Sequence, residues 1–272
     1  MSDAQVVTFR PGPGEYAWTF GGAAPAVRVT PPAILEVFTE DCFAGRVRGE
    51  NDLPELVWMW HFDRAQGTCR FTARRGDYTV DLPMNPMHGT VGVAPANLEV
   101  RSALVPDAFG GNMDTPEMRA GVTCYLGVNV EGALFSLGDG HARQGEGETC
   151  GVAVETAMNT VLAVDLVKGV PCAWPRLESA AYIMSAGSAR PLEDAFRIAQ
   201  LDLVQWLGSD YGLDPLDAYQ LITQVVESPL ANVCDPNYTS VAKLAKQYLP
   251  RAPAMDGAHA RLSDLAATYR GA

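Results

Sequence analysis

The strongest constraint on the fold is a run of alternating residues between Val152 and Leu166. Its even positions carry Val, Thr, Met or Leu, while its odd positions are mostly small or polar. A period of two matches a β-strand, whose successive side chains point to opposite faces. We therefore predict a strand or a bent pair of strands, with the even side chains buried. Glu155 falls on the opposite face between two alanines, and this pattern alone favours a solvent-facing acid.

Shorter segments of β character precede this run. They are rich in Val, Phe, Thr and Tyr and are separated by Gly and Pro, and they cover residues 26–30, 34–39, 69–82 and 125–130. The dipeptide Glu131-Gly132 lies between two apolar runs, which is typical of a tight hairpin. Such a hairpin would bring Asp139 to the end of a strand.

The last third of the chain has helical patterns. Apolar residues recur at helical spacing over 192–207, which predicts an amphipathic helix of about four turns. Asp214 followed by Pro215 predicts the start of a second helix, which runs to about Glu227. The segment after Pro250 also favours a helix.

These patterns predict a mainly β protein with a β-sandwich-like core and an α+β C-terminal part. Hydrophobic residues make up 47% and charged residues 19% of the 272 positions, which indicates a packed chain and excludes extensive disorder. We predict a β-rich domain over residues 1–170, carrying the glycine-rich motifs below, and a C-terminal part over 171–272 that packs on it.

The charge balance restricts the partners. The formal net charge is −12, which disfavours both nucleic acid and an anionic membrane surface as partners. No apolar stretch is long enough to span a membrane, and the N-terminus does not resemble a signal peptide. The six cysteines form no CxxC pair. We therefore expect free thiols in a reducing cytoplasm.

Two glycine-rich segments contain the candidate chemistry. In residues 135–151, a histidine, an amide and three acids alternate with glycines: Asp139, His141, Gln144, Glu146 and Glu148. In residues 109–115, paired glycines precede Asn112 and Asp114. Oxygen donors suit Ca²⁺ or Mg²⁺, and an added imidazole moves the preference toward Zn²⁺. We expect both segments to be loops that meet at one end of a sheet.

The same motifs carry a family resemblance. GGNMDT (110–115) and ALFSLGDGHARQGEGETCGVAVE (133–155) resemble segments of the acetamidase/formamidase family, as do HGTVGVAPA (88–96) and AWPRLES (173–179). The likeness runs in order from about Thr30 to Ser228. It implies a mostly β fold, a homodimer or higher homo-oligomer, and a divalent metal, Zn or Ca. It also implies hydrolysis of a short aliphatic amide, formamide or acetamide, to ammonia and the carboxylate.

The resemblance also implies roles for individual residues. It makes Glu155 a site residue rather than a solvent-facing acid. The implied metal ligands are Asp139, His141, Asp41, Glu155 and Asn112. The implied substrate-binding residues are Asn112, Asp114 and Gln144. The implied catalytic residues are Glu148, Glu146 and His141, with a glutamate as general base and then acid.

Two departures from the family pattern keep alternatives open. Phe109 stands where the family commonly has a histidine, and the stretch from Gly45 to Trp60 lacks an N-P-V-T-G-P segment. His88 or His61 is a candidate replacement for the missing histidine. The alternatives are a larger carbamoyl, guanidino or cyclic amide substrate, and a non-catalytic binding protein. Thiol catalysis by Cys150 is disfavoured, since neighbouring acids would keep the thiol protonated.

Overall fold

The computed structural model describes residues 5–43 and 57–269. Residues 45–56 of the stretch with the missing N-P-V-T-G-P segment lie outside this described part. The strands are β1 (Gln5–Phe9), β2 (Thr19–Phe20), β3 (Ala33–Thr39), β4 (His61–Asp63), β5 (Thr68–Thr72), β6 (Thr79–Pro83), β7 (Met87–Gly92), β8 (Arg101–Ser102), β9 (Gly110–Asn112), β10 (Thr123–Tyr125), β11 (Ser136–Arg143), β12 (Val154–Glu155), β13 (Met158–Val164), β14 (Arg176–Glu178), β15 (Tyr182–Ala189), β16 (Leu230–Asn232) and β17 (Tyr238–Ala245). The helices are α1 (Leu192–Tyr211), α2 (Pro215–Val225) and α3 (Ala258–Ala267).

Within the described residues, these strands form five sheets. A four-stranded sheet has the order β12-β11-β7-β9, and a five-stranded sheet has the order β10-β14-β15-β17-β16. The others are β1-β3-β13, β4-β5-β6 and the pair β2-β8. The predicted mainly β class with an α+β C-terminal part is confirmed. The division at residue 170 stays a prediction.

The alternating run forms the bent strand pair that its pattern predicts. β12 pairs with β11, and β13 pairs with β3 after a break at Thr156 and Ala157. The even positions from 154 to 164 are buried or half-buried, whereas Val152 and Leu166 at the ends are exposed. The side chain of Glu155 is only 10% exposed, so it is not the solvent-facing acid that the alternation favours.

Three local predictions of strand structure are wrong. Of residues 125–130, only Tyr125 lies in a strand, as the last residue of β10. Residues 26–30 form no strand: Pro25, Pro31 and Pro32 flank them, and β1 takes the parallel position beside β3 instead. The hairpin at Glu131-Gly132 does not form either, although residues 131–134 make a turn. The flanking strands β10 and β11 pair in different sheets, because long-range partners compete with the local one.

The main hydrophobic core lies between α1 and the five-stranded sheet. Trp206, Leu203 and Leu207 of α1 pack against Ile183 and Leu244 in the strands. The predicted helix is confirmed and is longer than expected, ending at Gly212 in the left-handed conformation, with φ +67°. The second predicted helix and the C-terminal helix also form.

The start of α2 follows its sequence signal closely. The Asp214 carboxylate accepts a hydrogen bond from the Leu216 amide at 2.8 Å, and Pro215 occupies the first turn. In the part of the chain described, no helix combines the length and the apolar character needed to cross a membrane. All six cysteines are free thiols, as predicted.

Candidate active site

The four-stranded sheet gathers the predicted site residues through its register. His141 on β11 lies directly opposite Glu155 on β12, and Thr90 on β7 lies opposite Asn112 on β9. The GDGH motif is therefore part of a strand, and the prediction that it forms a loop is wrong, as it is for Gly110–Asn112. Cross-strand pairing, rather than a flexible loop, brings these side chains together.

His141 is at the centre of the cluster. Its Nε2 lies 3.3 Å from Asp139 Oδ1 and 3.3 Å from Glu155 Oε1. Its side chain is 1% exposed. Two carboxylate oxygens therefore converge on one ring nitrogen in a place that water barely reaches.

Gln144 fixes the orientation of the His141 ring. His141 Nδ1 and Gln144 Oε1 lie 2.9 Å apart, so Nδ1–H donates and Nε2 is directed at the two acids. Gln144 is held in turn, because its Nε2 donates to the backbone oxygens of Asp114 at 2.5 Å and Ala231 at 3.0 Å. Gln144, predicted to bind substrate, thus contacts the histidine.

Asp114 and Asn112 form a second layer beside this centre. Asn112 Nδ2 donates to Asp114 Oδ2 at 2.7 Å and to Asp235 Oδ2 at 2.9 Å, while its Oδ1 accepts from Thr90. Both ends of the Asn112 amide are therefore occupied by protein groups. This residue supports the acids around it.

Gly89 makes the close approach of these acids feasible. A Cβ atom at this position would collide with Asp114 Oδ1 and Asp139 Oδ2, and would lie 3.0 Å from His141 Cε1. Only glycine leaves the space in which the two carboxylates face the imidazole.

The backbone of three site acids adopts an uncommon conformation. Asp114, Asp139 and Glu148 have φ values of +48°, +56° and +41°. L-residues other than glycine rarely occupy this left-handed region, and strained residues of this kind concentrate at functional sites.

Two buried oxygen atoms of the cluster lack a hydrogen-bond partner. They are Asp114 Oδ1 and Glu155 Oε2. Buried polar atoms are nearly always paired, so each unpaired one indicates a missing ligand or a functional demand. Both belong to acids that flank His141.

The charges of the centre are strongly coupled. Burial lowers the pKa of His141, but hydrogen bonds and charge from Asp139 and Glu155 outweigh it and raise the pKa to about 11. Burial raises the pKa of Asp139, yet the bond to His141 and its charge hold that pKa below its usual value. Burial, with the charges of Glu148 and other acids, raises the pKa of Asp114 well above its ordinary value.

The two glutamates predicted to act as base, Glu148 and Glu146, lie in different surroundings. Glu148 is buried, and its ligand oxygen lies within 4.8 Å of those of His141 and Glu155. Burial raises the pKa of Glu148 to about 7. Glu146 is exposed and is not brought into this group, and its charge neighbours are Glu117 and Lys243.

Asp41 and Cys42 follow the end of β3, and Asp41, predicted to be a metal ligand, belongs to neither group of possible ligands among the described residues. Asp41 is half-buried, and its Oδ1 accepts from the Phe43 amide at 2.8 Å. Burial raises the pKa of the Cys42 thiol, and the charges of Glu155 and Asp139 raise it further. No local pattern links Cys42 to these acids, so this interaction was missed in the sequence.

Asp235 was missed as well. It follows β16 and reaches the cluster through Asn112. Burial raises its pKa above the usual value. Its sequence context, between a cysteine and a proline, has no motif that indicates a site; a contact across 123 residues of chain brings it there.

The candidate replacements for the family histidine lie outside the centre. His88 is buried, with Nδ1 bonded to Gly138 O at 2.9 Å and Nε2 to Thr160 Oγ1 at 2.7 Å. Burial lowers the pKa of His88, which keeps it neutral. His61 is exposed in β4.

Phe109 faces an apolar cluster. Its ring centroid lies 5.4 Å from that of Phe20, and Val93 completes the group. Phe109 therefore serves packing at this position. Cys150 is exposed, and its thiol donates to Val152 O at 3.3 Å.

The donor set fits a divalent cation. Ligand atoms of Asp114, Asp139 and His141 lie within 4.8 Å of one another, as do those of His141, Glu148 and Glu155. In tetrahedral zinc, with bonds of about 2.0–2.2 Å, neighbouring ligand atoms are roughly 3.4 Å apart, close to the 3.3 Å separations at His141 Nε2. The unpaired oxygens of Asp114 and Glu155 are further available ligands.

Known proteins with similar structures share a family. An acetamidase from Yersinia enterocolitica superposes with a TM-score of 0.84 at 32% identity, over 91% of this chain and 94% of that one. A predicted acetamidase/formamidase from Thermoanaerobacter tengcongensis gives a TM-score of 0.75 at 26% identity, covering 89% and 97%. An acetamidase from Bacillus halodurans, at 22% identity, shares the fold with a TM-score of 0.76, covering 89% and 98%.

Sequence comparison indicates the same family. No curated protein matches the chain significantly. The model of the acetamidase/formamidase family matches residues 79–248, which contain both glycine-rich motifs and most of the site. This chain therefore belongs to the acetamidase/formamidase family of amidases.

Proposed function

We propose that this chain hydrolyses the C–N bond of a short aliphatic amide, of the formamide or acetamide type, to ammonia and the carboxylate. In this proposal a divalent cation is held by Asp139, His141 and Glu155. The observation that carries it is the convergence of the two carboxylates on His141 Nε2, in a buried centre of an amidase fold.

A bound divalent cation would polarise the amide carbonyl and lower the pKa of a water molecule. Glu148 takes the proton of the attacking water on its carboxylate and passes it to the leaving nitrogen. Its burial and its pKa of about 7 suit both halves of that transfer at neutral pH. Gln144 keeps His141 in the tautomer that directs Nε2 at the acids.

Zinc is the metal that we favour for this centre. An imidazole among carboxylates is typical of zinc, whereas Ca²⁺ prefers six to eight oxygen ligands. A homodimer and a cytoplasmic location stay predictions.

The acid–base role is tested with two neighbouring variants. We expect Glu148→Gln to lower kcat for ammonia release by about 10²–10⁴-fold, because an amide does not accept the water proton. Glu146→Gln is the matched control: it removes a carboxylate from the same segment, but from an exposed position outside the centre. Equal losses in both variants, or full activity of Glu148→Gln, would contradict the assignment.

The substrate and the cation are tested on the unmodified protein. We expect turnover of formamide or acetamide that is lost after a chelator and restored by Zn²⁺. Activity that rises through carbamoyl, guanidino or cyclic amides would indicate a larger substrate. Binding of a cation and of amides without any turnover would indicate a non-catalytic member.

A further inference from the structure

Asp235 lies at one end of a chain of hydrogen bonds that leads to the His141 centre. It is half-buried and follows β16, and its Oδ2 accepts from Asn112 Nδ2 at 2.9 Å. The same Nδ2 also donates to Asp114 Oδ2 at 2.7 Å. One amide nitrogen therefore joins two carboxylates that are remote from each other in the sequence.

These contacts fix the orientation of the Asn112 amide. The reverse orientation would direct the amide oxygen at two carboxylates, and an ionised carboxylate has no proton to donate. In the observed orientation, Asn112 Oδ1 accepts from Thr90 Oγ1, which lies 3.4 Å from Asp139 Oδ2. Rotation of the amide would therefore break three hydrogen bonds at once.

The backbone of Asp235 is held independently of its carboxylate. Asn232 is fully buried, and its Nδ2 donates to the backbone oxygens of Asn112 and Met113, at 3.2 Å each. Its Oδ1 accepts from the Asp235 amide at 3.4 Å. Arg190 donates to the backbone oxygen of Asp235 at 2.8 Å. A substitution that changes only the carboxylate should therefore leave this segment in place.

Asp114 is the acid that this chain of bonds orients. Its Oδ2 is occupied by Asn112, whereas its buried Oδ1 has no hydrogen-bond partner. A Cβ atom on Gly89 would collide with this Oδ1 and with Asp139 Oδ2, beside His141 Cε1, so Oδ1 lies on the side of the centre. An unpaired oxygen on a fully buried side chain indicates a missing ligand.

We propose that Asp235 is a positioning residue of the amidase centre: it holds the Asn112 amide, which keeps the unpaired oxygen of Asp114 directed at the cation site. This inference rests on the proposed cation of that site. Asp235 acts through Asn112 and is not itself a ligand. Residues that support a ligand in this way change metal affinity by about 10–100-fold when they are removed.

The test compares two substitutions of Asp235 in the full chain. Protein freed of metal is titrated with Zn²⁺ by calorimetry, and its urea unfolding is recorded in parallel. Asp235→Ala removes the acceptor of the Asn112 bond, so we expect the Kd for Zn²⁺ to rise by about 10–100-fold. Asp235→Asn removes the charge but keeps an acceptor oxygen, so it should lose much less affinity.

Asn237→Ala is the matched control. Asn237 lies in the same loop, and its Nδ2 donates to Pro106 O at 3.0 Å. The substitution removes an anchor of the loop but not the Asp235 carboxylate, so we expect an unchanged Kd for Zn²⁺. Asp235→Leu, which keeps the side-chain size without an acceptor, takes the place of Asp235→Ala if that variant does not fold.

Three outcomes would overturn the role of Asp235. One is a lower urea midpoint of Asp235→Ala with an unchanged Kd for Zn²⁺, which indicates a merely structural role. Another is an equal loss of affinity in Asp235→Asn, which indicates that the charge acts rather than the acceptor. The third is an equal loss in Asn237→Ala. All three leave the proposed cation in place, whereas failure of the unmodified protein to bind Zn²⁺ overturns both proposals.

Discussion

Two groups of buried charges in this molecule differ in how completely they are satisfied. In the five-stranded sheet, Arg176 donates to both oxygens of Asp202, at 2.8 Å and 3.0 Å, and Ser185 donates to the same carboxylate at 2.7 Å. The guanidinium also stacks on the Trp206 ring at 5.0 Å. Opposite charges are equal in number there, and each carboxylate oxygen has a partner.

The centre around His141 has the opposite character. One imidazole faces Asp139 and Glu155, with Glu148 and Asp114 close behind. Two carboxylate oxygens there are buried without partners. The Arg176 pair thus satisfies its charges within the native packing, whereas the His141 centre leaves two buried carboxylate oxygens unpaired, which supports the proposed cation. Unsatisfied buried groups that persist in a folded protein indicate function, because they lower stability.

Asp139→Ala is expected to have the largest effect, and it tests whether the His141 centre serves activity rather than stability. We expect amidase activity to fall by roughly 10³-fold or more, which corresponds to about 4 kcal/mol of transition-state stabilisation. The free energy of unfolding of the metal-free protein should fall by less than in Arg176→Met, because Glu155 remains as a partner of His141 Nε2 after the Asp139 carboxylate is removed. Activity, metal content and urea unfolding measure the two effects. Full activity in metal-free Asp139→Ala would rule the cation out.

Arg176→Met tests the contribution of the Arg176–Asp202 pair to stability. It leaves the buried Asp202 without its ion-pair partner, so we expect a loss of about 3–5 kcal/mol in unfolding free energy. Activity per folded molecule should be retained. The double variant Arg176→Met/Asp202→Leu is the control and should recover most of the loss, since it removes both charges. A small effect of the single variant would show that the pair contributes little.

Gln144→Met tests how far Zn²⁺ binding depends on the orientation of the His141 ring. It removes the acceptor of the His141 Nδ1–H bond, so we expect the Kd for Zn²⁺ to rise by about 10–100-fold. Gln144→Glu keeps the acceptor for Nδ1–H but loses the donor to the Asp114 and Ala231 backbone oxygens, so we expect it to lose less affinity than Gln144→Met. Equal affinities of the two variants would show that ring orientation does not depend on residue 144.

Much of the local structure was predictable from sequence. The Asp214-Pro215 start of α2 depends on one side chain and one ring, which act within a single turn. The alternation after Val152 predicted strands, and the glycine-rich motifs identified the family together with Asp139, His141 and Glu148. These features depend on neighbouring residues, so a local pattern is sufficient to detect them.

The wrong predictions concern strands that could pair either with a neighbour in the sequence or with a distant strand. β10 and β11 flank a turn that favours a hairpin, yet each pairs with a distant strand. The burial of Glu155 follows from its position opposite His141, which alternation along one strand does not reveal. Phe109, which stands where the family commonly has a histidine, packs against Phe20 and offers no ligand atom, as its residue type implies.

The sequence by itself determined the class of fold, the family and the acids and histidine of the GDGH motif. Only the tertiary structure decided that Gln144 orients His141, that Glu148 and not Glu146 enters the centre, and that Asp235 reaches it through Asn112. The physical reason is distance along the chain. Hydrogen-bond register between strands fixes which remote side chains meet, and a register is a property of the assembled sheet rather than of any one segment.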